Sequence, residues 1–309
     1  MTGRLTMRTG AVIALMIAGP GLAEPGRYPS PDDAINAMIA ALEARDRVAL
    51  MEVFGPENED VVSTGNSEED RMIWGDFLRD FTRVHRIDLD DNDRATLLTG
   101  RNLSPFPVAL VRSGRWWSFD VEEARDEILM RRIGGNELAV IDVMTRAAEV
   151  QESYRRVDHD GDGVMEFAAS LLSTHGNRDG LYWPDEAGGG RSPYPASIGR
   201  ANLAGYNVAG SDLTPEPWEG YYFRILQEQG PAAPGGAYSY MVNGNMVAGH
   251  ALLAVPAAYE ETGIMSFMVG ENGKVYEADL GPDSLDIAFG ITSYDPDDSW
   301  SLLDIDAYK

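Results

Sequence analysis

The sequence predicts an α+β protein in two parts: a small helix-plus-antiparallel-sheet unit, then a long helix feeding a second antiparallel sheet. Three observations predict it. Apolar residues recur at helical spacing in the first half, as in Ala34, Ile35, Met38, Ile39 and Leu42. A second and longer helical pattern covers Glu122 to Val157. After Asp158 the texture turns to glycine, proline and aromatic residues, with Asn243-Gly244 and Asn272-Gly273 standing between apolar runs as hairpin signals.

Taken in order, the chain opens on a leader pattern over residues 1–23. Arg4 and Arg8 give a positive start, Ala11 to Gly19 form a short apolar run, and Gly21-Leu22-Ala23 place small residues before Glu24. That order is read by a signal peptidase. The apolar run is far shorter than the roughly 20 residues a membrane span needs, so no anchor is expected once the leader is cleaved. Residues 24–120 form the expected first domain. Pro31-Asp32-Asp33 begins a helix, with proline and acids in its first turn. Val48 to Phe54 reads as a second short helix, stopped by Gly55-Pro56, and Met72, Ile73, Phe77, Leu78 and Phe81 mark a third. Arg94 to Gly100 reads as a strand, and Phe106 to Arg112 with Arg115 to Asp120 as a hairpin around Ser113-Gly114.

Residues 121–309 form the expected second domain. Its helix carries Gly134-Gly135, a predicted break or kink. Strands are predicted over Ala237 to Val242, Met246 to Val255, Gly263 to Val269 and Lys274 to Asp279.

The charge is strongly one-sided. Fifty acidic residues face 25 basic ones, a formal net charge of −25. Losing Arg4 and Arg8 with the leader makes the chain more negative still. Such a surface repels nucleic acid and anionic membrane faces and attracts cations. There is no cysteine, which removes disulfides, lipoprotein attachment and thiol catalysis.

Several blocks resemble the bacterial family known as domain of unknown function 2950: Arg131-Arg132-Ile133-Gly134-Gly135-Asn136-Glu137-Leu138, Asp179-Gly180-Leu181-Tyr182-Trp183-Pro184, Gly220-Tyr221-Tyr222-Phe223-Arg224-Ile225-Leu226, Ala233-Pro234-Gly235-Gly236-Ala237, and Lys274-Val275-Tyr276 on to Asp279-Leu280-Gly281. The resemblance spans nearly the whole chain after the leader. It implies an exported bacterial protein and no particular activity. In element order the first domain is similar to the cone-shaped nuclear-transport-factor-2-like group. The second, a helix ending at Gln151 to Tyr154 followed by a sheet that includes Phe267-Met268-Val269, resembles the globular head of type IV pilins and pseudopilins, without their apolar N-terminal stalk.

The sharpest local motif is Asp158-His159-Asp160-Gly161-Asp162-Gly163. Acids at alternate positions of a glycine-bearing turn point oxygens at one centre, as at the start of a calcium loop. Val164 offers a carbonyl at the seventh position and Glu166 an acid at the ninth. Ala169 stands at the twelfth, where a bidentate glutamate is expected. The same residues also suit a polar turn that ends a helix. Asp295-Pro296-Asp297-Asp298 is a second acidic turn, open to the same two readings.

Arg131, Arg132, Asn136 and Glu137 form a polar cluster that reads either as an ion-pair network between the domains or as an anion site. Asp179, Tyr182 and Trp183 form another candidate cluster. Glu219, Asp185 and Glu186 lie among aromatic residues, as in a sugar-cleaving cleft or an ordinary sheet core. The four histidines lack zinc spacing, and no Gly-x-Ser-x-Gly elbow occurs. The sequence therefore leads to a non-enzymatic periplasmic or secreted module, calcium-stabilised, that binds a protein or cell-envelope partner. The alternative is an extracytoplasmic hydrolase acting on a glycan-like polymer through paired carboxylates.

Overall fold

The computed structural model describes residues 24–184, 190–203 and 215–305. The leader pattern of residues 1–23, Asp185 and Glu186 lie outside them. The chain divides into two units, the first ending at Ile128 and the second beginning at Leu129.

In the first unit, α1 (Pro31–Ala44) starts at Ser30, whose Oγ accepts the Asp33 N–H at 3.1 Å, and ends at Arg45 in the left-handed region. Asp46 caps α2 (Arg47–Phe54) by accepting the Ala49 N–H at 3.1 Å. A single turn, α3 (Glu59–Val62), precedes α4 (Ser67–Arg83). Then come β1 (His85–Leu89), β2 (Arg94–Thr99), β3 (Ser104–Pro105), β4 (Leu110–Ser113) and β5 (Trp116–Phe119). The sheet order is β1-β2-β4-β5, with β3 on β2 and every pairing antiparallel. The apolar faces of α1 and α2 close over β2, β4 and β5 in one core around Met38, Leu50, Phe54, Leu97, Leu110 and Phe119. β1 has no counterpart in the sequence reading. It is an edge strand, almost fully exposed, and His-Arg-Ile-Asp-Leu lacks the buried alternation that marks a strand.

Helix α5 (Val121–Tyr154) contributes Val121 and Ala124 to the first unit's core. It runs without interruption through Gly134-Gly135, where a break was expected. Two glycines cost a helix about 1 kcal/mol each. Burial of Ile133, Val140, Ile141 and Met144 on the flanking turns outweighs that cost.

The second unit continues with β6 (Ser170–Leu172) and β7 (Gly180–Tyr182), a parallel pair, then α6 (Ala196–Arg200) and β8 (Tyr221–Leu226). Short strands follow: β9 (Glu228–Gln229), β10 (Tyr238–Ser239), β11 (Met241–Val242) and β12 (Asn245–Met246). The chain then forms β13 (Ala251–Pro256), β14 (Met265–Gly270), β15 (Val275–Asp279), α7 (Ser284–Gly290), β16 (Ser293–Tyr294) and β17 (Ser301–Leu302). The main sheet is antiparallel in the order β17-β15-β14-β13-β8. Residues of α5 from Val140 to Tyr154 share one core with it, including the fully buried Phe223, Leu253 and Phe267.

Asn243 and Gly244, both at positive φ, close the β11–β12 hairpin as predicted. The strand read over Met246 to Val255 is instead interrupted. Gly249 takes a φ of 154°, and a Cβ there would lie 2.7 Å from the Tyr240 ring. β8 lies outside the predicted strands. Its Arg224 guanidinium donates to the carbonyls of Ala288, Phe289 and Ile291 at 3.0–3.1 Å, capping the end of α7.

Candidate functional site: the acidic turn after helix 5

α5 ends at Tyr154, and the chain then enters the turn with two glycines at positive φ, Gly161 at 81° and Gly163 at 87°. These let the backbone curl so that its N–H groups face the acids. Asp158 accepts from Gly161 N at 2.7 Å through Oδ1 and from Gly163 N at 3.0 Å through Oδ2. Asp160 accepts from Asp162 N at 3.2 Å, and Asp162 from Val164 N at 2.7 Å. The second Asp162 oxygen accepts from the Asn245 amide at 2.7 Å. Carboxylate oxygens of Asp158, Asp160 and Asp162 lie within 4.8 Å of one another.

Electrostatics divide the acids. The backbone N–H groups of Gly161 and then Gly163 hold Asp158 below the usual carboxylate range. Burial pushes Glu166 up, against the N–H of Met246, and the charges of Asp160, Asp162 and Asp158 raise it further. Glu166 accepts that N–H at 2.8 Å, and Phe167 N donates to Met246 O at 2.8 Å, so the exit of the turn is pinned to β12. At its base, Gln151 holds Ala168 by two hydrogen bonds.

His159 lies within the motif and turns away from the acids. Its ring stacks on Tyr154 at 4.1 Å and stands 5.4 Å from the Trp183 ring, and burial lowers its pKa. Its side chain is thus part of the packing behind the turn. The donor set suits a hard cation: carboxylate oxygens from three aspartates, with the Val164 carbonyl and Glu166 following at the loop positions a calcium site uses. The twelfth position is filled differently, because the Ala169 carbonyl accepts from Gln227 Nε2 at 3.1 Å.

The other sequence candidates separate from this turn. Asn136 Nδ2 donates to Thr262 O at 2.9 Å, and Glu137 Oε1 accepts from Ile264 N at 2.9 Å and Met265 N at 3.0 Å. Both residues fasten α5 to the β13–β14 connection inside the second unit, as neither reading of the cluster foresaw. Arg131 and Arg132 are exposed on the same helix. Asp179 accepts from Thr174 N and Thr174 Oγ1, each at 2.7 Å, closing the β6–β7 connection. Tyr182 packs flush against Gly199, and Trp183 is buried with its indole N–H on Gly190 O at 3.0 Å.

Glu219 is exposed at a φ of 45°, in a tight turn that pairs Trp218 with Tyr221. Its expected partners Asp185 and Glu186 fall outside the described residues. In the second acidic turn, Asp297 accepts from Ser299 N at 2.9 Å, as a turn cap does, while Asp295 reaches a distant segment and accepts from Ala232 N at 2.7 Å.

Among the described residues no helix is long and apolar enough to cross a membrane. No curated protein and no solved structure matches the chain. The family described as protein of unknown function (DUF2950) matches residues 26–303, nearly the whole length beyond the leader pattern. This chain therefore belongs to the DUF2950 family.

Proposed function

We propose that this protein is an exported, non-catalytic binding or assembly module, acting on a protein or cell-envelope partner, and that a calcium ion at the Asp158 turn stabilises its second unit. The observation that carries the calcium reading is the convergence of Asp158, Asp160 and Asp162 oxygens within 4.8 Å of one another. Three neighbouring carboxylates repel one another, and a cation among them would relieve that repulsion beyond what the backbone N–H groups of the turn do. Export is supported by the Arg4, Arg8 and Ala11 to Gly19 pattern, and an assembly role by the long helix packed on an antiparallel sheet.

Without the twelfth-position glutamate, affinity belongs in the weak range of extracellular calcium modules, roughly 10⁻⁴–10⁻³ M. Calorimetric titration of the chain from Glu24 with calcium chloride tests this. One-site heat in that range supports the reading, and no heat at several millimolar calcium overturns it. In-cell cross-linking tests the partner: reproducible adducts are expected, and recovery of the protein alone contradicts the assembly role.

A further inference from the structure

A cavity of about 300 Å³ opens in the second unit, built from segments far apart in the chain. Tyr238, Tyr240 and Tyr294 line it with Gln229, Glu271 and Asn272. The Tyr238 and Tyr240 rings stand 5.6 Å apart at 77°, forming two walls of a corner. Tyr294 is 2 % exposed and forms the floor of the corner, its ring against Gly270.

The site is seated on glycines. A Cβ at Gly249 would lie 2.7 Å from the Tyr240 ring and 3.5 Å from Glu271 Oε2, so carboxylate and ring meet over that residue. A Cβ at Gly270 would lie 2.9 Å from the Tyr294 ring. Gln229 is locked in place, donating to Pro234 O at 2.8 Å and Gly236 O at 2.7 Å and accepting the Tyr240 hydroxyl at 3.0 Å. The corner is therefore organised before any ligand arrives.

Its charge selects the ligand. No lining side chain is basic, and Glu271 is the charged one. Burial raises the Tyr240 phenol, with Tyr238, Tyr294 and Glu271 adding to the rise, and of these Glu271 carries the negative charge at neutral pH. Burial pushes Tyr294 up to about 12, with Tyr276 adding to the rise and Asn272 opposing it. The exposed Tyr238 ring beside the Glu271 carboxylate attracts an organic cation through the ring quadrupole and the charge together. A volume at the lower end of ligand pockets fits one alkylammonium group or one side chain.

We infer that this tyrosine corner binds an alkylammonium group, either of a free amine or of a lysine side chain. It goes beyond the calcium reading and shares no residue with the Asp158 turn, so the test is run in chelator and either idea can fail alone. Choline, its neutral isostere 3,3-dimethylbutanol, Nα-acetyl-lysine amide and glucose are titrated by calorimetry. Saturable binding of choline or of the lysine derivative is expected, with the neutral isostere at least about tenfold weaker. The stronger of the two cations identifies the source. Tyr238→Ala and Glu271→Gln, both at exposed positions, should each weaken the cation about tenfold while leaving the melting temperature unchanged. Equal affinity for choline and 3,3-dimethylbutanol, binding of glucose alone, or no saturable binding by folded protein overturns the inference.

Discussion

Gln151 grips Ala168 with both ends of its amide: Nε2 donates to the Ala168 carbonyl at 3.0 Å, and Oε1 accepts the Ala168 N–H at 2.9 Å. The pair is buried and joins the last turn of α5 to the chain beyond the acidic turn. The loop of aspartates is thereby closed at its base before any ion is considered. Gln151→Ala leaves a buried donor and acceptor without partners and should cost about 2–4 kcal/mol. Urea unfolding checks this, and a cost below about 1 kcal/mol would mean that water replaces the amide.

Glu137 supports the other end of the second unit. Its Oε1 accepts two successive N–H groups, from Ile264 and Met265. Glu137→Ala should destabilise by about 2–3 kcal/mol, because both half-buried donors lose their acceptor. Glu137→Gln keeps an acceptor oxygen in place and should recover most of that loss. Denaturant midpoints of the two variants separate hydrogen bonding from charge: equal losses would assign the effect to the negative charge.

His250 sets an acid limit on stability. It is 3 % exposed, tilted against Phe167 at 4.7 Å, and burial lowers its pKa from 6.5 to about 4, with Arg155 adding to the fall. The folded state thus binds the proton less readily than the unfolded chain. Stability from this group is complete above pH 6.5 and is lost as pH falls towards 4. The loss over that window is roughly 3 kcal/mol. His250→Leu should flatten this part of the stability–pH curve, measured by denaturant unfolding at each pH. Asp158, held low, loses its contribution at more acid pH, while Glu166, held high, gains stability on protonation, so the variant comparison is what isolates His250.

How legible these features were depended on distance along the chain. The Asp158 turn is local: six consecutive residues specify its glycines, its acids and their spacing. The β11–β12 turn is equally local, since Asn243 and Gly244 take positive φ as that pair prefers. The role of Glu137 was not legible, because its partners lie 127 and 128 residues away. Nor was the tyrosine corner, which gathers residues from Gln229 to Tyr294. The break at Gly249 was hidden because its apolar neighbours continue a strand pattern, and the Tyr240 ring that fills the glycine's missing Cβ space comes from before the β11–β12 hairpin. β1 went unread for the opposite reason, being an edge strand with little buried alternation.

Whether the Asp158 turn holds a stabilising cation is read out by thermal unfolding. The chain from Glu24 and its Asp160→Ala variant are melted in excess calcium and in chelator. A ligand present at a hundred times its dissociation constant adds about 2.7 kcal/mol to the folded state, or about 5–10 °C for a unit of this size. A rise of that order is expected for the native chain and none for the variant, whose melting in chelator should match the native chain's within a few degrees. A melting temperature indifferent to calcium, or a rise that survives in Asp160→Ala, would contradict it.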